Sequence, residues 1–205
     1  MDTNKPESEA SFPEWLKPGG LLGVFALIFI FLLAFTYELT RERIAIQDQL
    51  RLEAQLKQLL VPGSYDNEPA TDIYQPANSN RIVYRARLNN SPVAALIKTV
   101  AKDGYSGSIQ LLVGIKTSGE ILGVRALEHR ETPGLGDDIN LSRSDWILSF
   151  NNRSLRDPSP EGWAVTKDGG VFDAFTGATI TPRAVIGEIK KTLIYFEDHH
   201  KELFQ

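Results

Sequence analysis

Two short stretches hold the residue types with which this chain could do chemistry. The first is Asp173-Ala174-Phe175-Thr176-Gly177-Ala178-Thr179-Ile180-Thr181-Pro182. It sets three threonine hydroxyls beside a glycine, at the mouth of a helix-like run. The plain meaning is a loop that ends in a helix cap. Thr181 would be the N-cap and Pro182 the first helical residue, where a missing N–H leaves nothing orphaned. The chemical meaning places the hydroxyls near the positive end of a helix, where a phosphate is welcome. Caps are the commoner outcome of such a pattern, so this stretch does not decide the matter by itself.

The second stretch is Glu128-His129-Arg130-Glu131-Thr132-Pro133-Gly134-Leu135-Gly136-Asp137. Pro133-Gly134 sets a tight turn, and the Gly-Leu-Gly backbone is bare enough for a planar ligand to approach. A surface turn with solvated charges is the plain alternative. His129 and Glu131 lack a third ligand at sensible spacing, which argues against zinc. Neither stretch has the Gly-Lys-Ser/Thr of a phosphate-binding P-loop or the Gly-x-Gly-x-x-Gly of a dinucleotide fold. No nucleophile elbow is present for a Ser-His-Asp hydrolase.

Composition narrows the chemistry further. The chain has 205 residues, a formal charge of −4 and 42% hydrophobic residues. That is enough for one packed domain with appendages, and it gives no electrostatic reason to expect nucleic acid. With no cysteine, a disulfide framework, a thiolate zinc site and a Cys-ligated iron–sulfur cluster are all excluded. Redox chemistry here would need an organic cofactor.

The elements that must position the two stretches follow from the pattern. Residues 1–17 form a polar tail interrupted by Pro6 and Pro13. Residues 18–37 carry no charge and span roughly 30 Å as a helix, the thickness of a bilayer core. Trp15 and Tyr37 flank the run as interfacial anchors would. A single transmembrane helix is expected there. The flanking charges (Lys5 and Lys17 before it; Arg41, Arg43 and Arg51 after) lean by one toward a cytoplasmic C-terminus. Residues 38–60 have helical spacing at Ile46, Leu50, Leu56, Leu59 and Leu60, as a stalk or as the first helix of the domain. Val61-Pro62-Gly63 stops that helix, and a long polar loop is expected over 63–80.

Strands are expected over Arg81–Leu88, Val93–Val100, Ile109–Lys116 and Ile121–Glu128, with turns at Asn89–Pro92 and Ser118-Gly119 and a loop at Gly104–Gly107. Leu141–Phe150 reads as a short helix capped by Ser142 or Ser144, and Trp163–Thr166 as a short strand. Pro182–Leu203 reads as a long helix with an apolar stripe at Val185, Ile186, Ile189, Leu193, Tyr195 and Phe196. The expected fold is α+β, with a mainly antiparallel sheet and a C-terminal helix, over residues 61–205.

Taken together, the two stretches resemble a known pattern. Asp173-Ala174-Phe175-Thr176-Gly177-Ala178-Thr179 resembles the D-x-x-[ST]-G-A-T signature at which a flavin transferase attaches FMN to threonine. His129-x-Glu131-Thr132-Pro133-Gly134-Leu135-Gly136 resembles a loop of the same FMN-binding family. Behind one membrane helix, they make the chain similar to the G subunit of the Rnf (Rsx) ion-translocating electron-transport complex. A relative is the C subunit of the sodium-pumping NADH:quinone reductase. The Gly104-Tyr105-Ser106-Gly107, Val61–Asn67 and Ser144-Asp145-Trp146-Ile147 segments lean toward the Rnf protein.

The resemblance implies a covalent FMN, joined by a phosphoester to Thr179. It implies that Thr176, Gly177 and Ala178 shape the loop around that phosphate, and that Asp173 belongs to the transferase's recognition signature. It places Glu131, Thr132 and Leu135 near the isoalloxazine ring. Pro182 stands where the family often has serine, so any phosphate contact from that serine is missing. The implied partners are other subunits of a membrane electron-transport complex, the flavin transferase and the membrane; the implied location of the domain is the periplasmic side of the bacterial inner membrane, against the charge count. An electron-carrying subunit without independent turnover is expected. The alternatives are a non-redox extracytoplasmic ligand-binding domain and an assembly subunit, neither of which needs Thr179.

Overall fold

The computed structural model describes residues 16–76 and 81–204. Trp15, most of the polar tail and part of the 63–80 stretch lie outside them. Contacts divide the chain into two compact units, Met1–Leu50 and Arg51–Gln205.

One helix, α1 (Leu16–Leu59), runs through the apolar stretch and beyond it. In the first unit every described side chain from Pro18 to Leu50 is exposed, including Leu27, Phe31 and Tyr37. Backbone hydrogen bonds are satisfied within the helix, and the Thr36 and Thr40 hydroxyls donate back to carbonyls one turn earlier. This helix is long and apolar enough to cross a membrane.

The second unit is built on a five-stranded antiparallel sheet in sequential order. Its strands are β1 (Ile73–Tyr74), β2 (Ile82–Leu88), β3 (Ser91–Gly104), β4 (Gly107–Lys116) and β5 (Ile121–Glu128). The hairpins have the expected turn chemistry. Asn89 and Asn90 both take positive φ (50° and 62°), as a two-residue turn of the primed type requires, and Gly119 takes +88° in the next hairpin but one. β3 and β4 run longer than their apolar cores suggest. They meet at Tyr105-Ser106, so the expected loop at Gly104–Gly107 is a hairpin turn. Here a Cβ on Gly104 would stand 2.3 Å from the Gly107 carbonyl oxygen, which keeps that position bare. β1 is an addition to the expected strands. Its two residues pair with β2 inside the polar loop.

Alternation along the strands loads both faces. On the inner face Val83, Ile97, Ile109, Leu111 and Val113 pack against the second long helix, α2 (Ile180–Asp198), through Val185, Ile186, Ile189, Leu193 and Phe196. On the outer face Tyr84, Ala94, Leu96 and Leu112 take Leu56 and Leu59 from the end of α1 and Leu60 just after it. The helical spacing of 38–60 therefore resolves by position: Leu56 and Leu59 are domain core, whereas Ile46 and Leu50 are exposed. Each such buried leucine contributes about 1.5–3 kcal/mol relative to exposure.

A polar lock fixes α2 on the sheet. Glu188 is buried, accepts a hydrogen bond from the Thr99 hydroxyl of β3 and pairs with Arg81 at 3.3 Å. The Arg81 guanidinium lies over the Tyr195 ring, 4.7 Å from its centre.

Three expectations change. The expected strand at Trp163–Thr166 reduces to one parallel bridge, Val165 to Phe172, flanked by two single-turn 3-10 helices. Trp163 serves the core instead, packed on Phe150 and Phe172. The helix expected over Leu141–Phe150 is a 3-10 helix, Asp145–Phe150, and of the two candidate caps it is Ser144 whose hydroxyl accepts the Trp146 N–H. The C-terminal helix breaks at His199, leaving α3 (His200–Leu203) as a separate turn.

Candidate functional site

The site begins at the turn Phe175-Thr176-Gly177-Ala178. The Ala178 N–H donates to the Phe175 carbonyl at 3.3 Å, and Gly177 sits at φ +80°. Only glycine takes that backbone without strain, which explains the glycine between Thr176 and Ala178. Phe175 plugs into the inner core and anchors the turn from below. Trp146 meets its ring edge-on at 4.8 Å, and the Trp146 indole N–H donates to the Asp173 carbonyl at 2.8 Å. Asp173 and Thr176 are left exposed.

Thr179 follows at the N-cap of α2, which starts at Ile180. This differs from the expectation that Thr181 caps and Pro182 opens the helix. Thr181 is already inside the first turn and fully buried, where its hydroxyl donates to Glu131. Pro182 stands third in the helix, still among residues whose N–H would have no helical partner. Thr179 is half-buried and its side chain makes no cap hydrogen bond. The residue closest to the helix's positive end therefore keeps its oxygen out of the cap. One turn on, Arg183 makes a two-pronged ion pair with Asp168, at 2.6 and 2.8 Å. That pair keeps the Asp168 carboxyl below the usual range, through the Arg183 hydrogen bond first and its charge second.

The second stretch folds over the first. Leu135 and Gly136 N–H groups both donate to the Thr132 carbonyl, and the Gly134 N–H donates to Asp137 at 2.6 Å, so the turn is knitted from within. Asp137 is buried and also paired with Arg143 at 3.2 Å. His129 is engaged at both ring nitrogens: Nδ1 accepts the Glu131 N–H and Nε2 faces the Asn140 amide at 2.7 Å. Its role is to hold the loop. Leu135, 42% exposed, leans toward the threonine turn: a Cβ on Gly177 would stand 3.4 Å from Leu135 Cδ2. The two stretches are thus in contact.

Glu131 ties them to the sheet. It is 5% exposed, and its two carboxylate oxygens serve different elements. Oε1 accepts the Ser106 N–H of the β3–β4 hairpin at 3.0 Å; Oε2 accepts the Thr181 hydroxyl. Both oxygens thus face protein partners. Of the residues expected around a ligand, Thr179, Thr176, Gly177, Ala178, Thr132 and Leu135 lie on the two adjoining turns. Asp173 lies at the entry to the first turn. Residue spacing holds no sign of Ser106 or Asn140 as supports, and it points Thr181 to a different role. A polar recess lined by Ser106, Gly107, Glu128 and His129 borders this clamp.

An open turn with an uncommitted hydroxyl at a helix N-terminus suits a phosphate, and the exposed Leu135 beside it suits the edge of a flat ring. The site accordingly fits a phosphorylated flavin.

Comparison with known proteins bears on the same region. Residues 104–194 match the model of the FMN-binding domain, and residues 14–59 match that of the RnfG N-terminal region. Proteins named as the G subunit of the ion-translocating oxidoreductase complex are similar over nearly the whole chain. Those of Pseudoalteromonas atlantica and Pseudomonas aeruginosa are each 46% identical over 195 residues, covering 92% of this chain and 91% of theirs. That of Vibrio cholerae is 43% identical over 194 residues, 91% of this chain and 92% of its own. Among solved structures, the crystal structure of Shewanella oneidensis NqrC is 22% identical with a TM-score of 0.48, covering 64% of this chain and 69% of that one. On identity and coverage together, the chain belongs to the family of G subunits of the ion-translocating oxidoreductase complex.

Proposed function

We propose that this chain is a membrane-anchored FMN carrier that relays electrons within an ion-translocating oxidoreductase complex, with the FMN held by a phosphoester to Thr179. The observation that carries the attachment is the state of Thr179 itself. It caps α2 by position, yet its hydroxyl makes no cap hydrogen bond. When bound, FMN supplies reversible one- and two-electron chemistry. The chain supplies the rest. The first turn of α2 offers the N–H groups of Ile180 and Thr181 toward a phosphate at Thr179. Thr176, Gly177 and Ala178 shape the turn beneath it, and Asp173 belongs to the signature read by a flavin transferase. Leu135 and Thr132 form the lip against which a ring can rest, while Glu131 keeps lip and helix in register. The chain has no nicotinamide motif, so the electron donor and acceptor are other subunits of the complex. α1 is the anchor, and the flavin domain lies on the periplasmic side of the bacterial inner membrane.

The test is in-gel flavin fluorescence of the denatured chain, produced in cells that contain the transferase. Wild type is expected to fluoresce and Thr179→Ala to be dark, with Thr176→Ala dimmed but visible. A dark wild-type band, or a bright Thr179→Ala band, overturns the attachment.

A further inference from the structure

Thr179 is the N-cap of α2 by position, and a capping oxygen accepts the N–H of the second or third helical residue. The third helical residue here is Pro182, which has no N–H to give. The first turn of α2 therefore offers an anion one backbone donor fewer than such a turn usually has. The Pro182 side chain brings no donor in exchange, and the Thr181 hydroxyl is turned inward to Glu131. What the turn can still direct at an anion on Thr179 is the N–H of Ile180 and of Thr181, and the side chain of Arg183.

Arg183 stands four residues after Thr179, so the two lie on one face of α2, a turn apart. Helical side chains lean toward the N-terminus and cover the turn before their own Cα, which for Arg183 is the turn that begins at Thr179. The guanidinium is held on one edge. Its Nε donates to Asp168 Oδ2 at 2.6 Å and its Nη2 to Asp168 Oδ1 at 2.8 Å. A guanidinium carries five N–H groups in one plane, and this side-on fork uses two of them. Among the described residues Nη1 has no hydrogen-bond partner, so the end of the fork stays open. Asp168 closes a 3-10 turn, Thr166–Asp168, five residues before Asp173, so the pair also borders the approach to the threonine turn. The two side chains are 46% and 42% exposed, and an ion pair in that setting adds little to stability. Its distinctive product is an oriented cation, neutralised on one side and open on the other.

We propose that Arg183 binds the phosphate of a flavin carried on Thr179, through the guanidinium end that Asp168 leaves open. Arg183 supplies the donors that Pro182 withholds, with a planar fork and a charge that match the paired oxygens of a phosphate. The inference deepens the reading of Thr179 as the attachment point and rests on it.

The experiment records the ³¹P resonance of the full chain in detergent, labelled in cells that contain the transferase, with the flavin load checked by mass. Melting temperatures of labelled and unlabelled chains are compared alongside. Arg183→Gln is expected to move the resonance of the folded chain, to coincide with wild type in urea, and to lose at least half of the rise in melting temperature that labelling brings. Arg183→Lys keeps the charge without the fork and is expected to move the resonance part of the way. Lys167→Gln removes a neighbouring exposed cation and is expected to leave both readouts at wild type. Asp168→Asn breaks the ion pair but keeps the guanidinium, so it is expected to retain the greater part of the labelling rise. A folded Arg183→Gln chain at the wild-type resonance with the full rise overturns the proposal. So does an equal loss of the rise in Asp168→Asn, which would make the pair a structural tie, and so does an equal shift in Lys167→Gln, which would make the effect one of general charge. If Arg183→Gln accumulates no flavin, Arg183→Lys decides alone, and a wild-type resonance there overturns the proposal. The Thr179 reading fails on a different observation, a bright Thr179→Ala band, so the two failures are told apart.

Discussion

The carboxylate of Glu131 and the hydroxyl of Thr181 are hydrogen-bonded inside the protein, and this pair holds the Leu135 turn against the first turn of α2. Thr181 lies two residues after Thr179, so the bond sets where the Thr179 hydroxyl, the proposed attachment point, stands relative to the lip. Ser106 on the other carboxylate oxygen extends the clamp to the β3–β4 hairpin.

Thr181→Val removes the donor and keeps the shape. One buried acceptor is then left short, at a cost of about 1–3 kcal/mol. The expected result, by thermal unfolding of the full chain in detergent, is a melting temperature lower by several degrees. Gly136→Ala should act on the same clamp from outside, because its Cβ would stand 2.8 Å from Glu131 Oε2 and 2.9 Å from Thr181 Oγ1. Melting temperatures equal to wild type in both variants would show that the clamp carries no strain or stability.

Gly177→Ala tests the threonine turn. Its φ of +80° costs a Cβ-bearing residue about 1–2 kcal/mol, while the new methyl would only touch Leu135, at 3.4 Å. The turn is expected to shift and move Thr179. In-gel flavin fluorescence should fall to a minor fraction of wild type while the rest of the domain stays folded. Full labelling of Gly177→Ala would mean that the turn's geometry does not matter to attachment.

The antiparallel sheet and the α2 stripe are legible in the sequence because alternation and helical spacing report burial directly. Val83, Leu111 and Ile189 face the core as their periods require. The site is legible as two motifs, not as an arrangement. Nothing in the spacing shows that Glu131 reaches both Ser106 and Thr181, because those bonds join residues 25 and 50 positions apart in the chain. Thr181 before Pro182 carries a strong cap signal, and tertiary bonding overrides it. Trp163–Thr166 has the composition of a strand, but the aromatic cluster with Phe150 and Phe172 claims Trp163. The two-residue β1 makes too short a pattern to detect.

Trp146→Phe separates support from chemistry. The indole N–H holds the Asp173 carbonyl at 2.8 Å, and the ring also packs edge-on against Phe150 and Phe175. Phenylalanine retains most of the packing and drops the hydrogen bond, for about 0.5–1.5 kcal/mol. If Asp173 starts the attachment signature, as proposed, loosening it should slow labelling more than it lowers stability. The expected outcome in a time course of fluorescence after induction is a slower approach to the wild-type plateau. An unchanged rate would remove Trp146 from any role at the site.

Asp72 governs acid stability away from the site. Burial acts to raise its pKa, but hydrogen bonds and charge from Arg87 and Arg85 outweigh it and hold the carboxyl below its usual range. The contacts are short, 2.8 Å to Arg87 and 2.6 Å to Arg85, and the trio joins the β1 loop to β2. A folded pKa below the unfolded one means that the stabilisation is present above the unfolded value and disappears as pH falls through the folded value. Asp72→Asn is therefore expected to be less stable than wild type at pH 7, by about 1.5–3 kcal/mol, the range for hydrogen bonds to charged groups. The difference should shrink below about pH 4 and vanish once the carboxyl is protonated in both the folded and the unfolded chain. Urea unfolding of the two chains in detergent, followed by tryptophan fluorescence at pH 7, 5 and 3, measures it. A gap that stays constant across that range would show that the Asp72 contacts act through packing and not through charge.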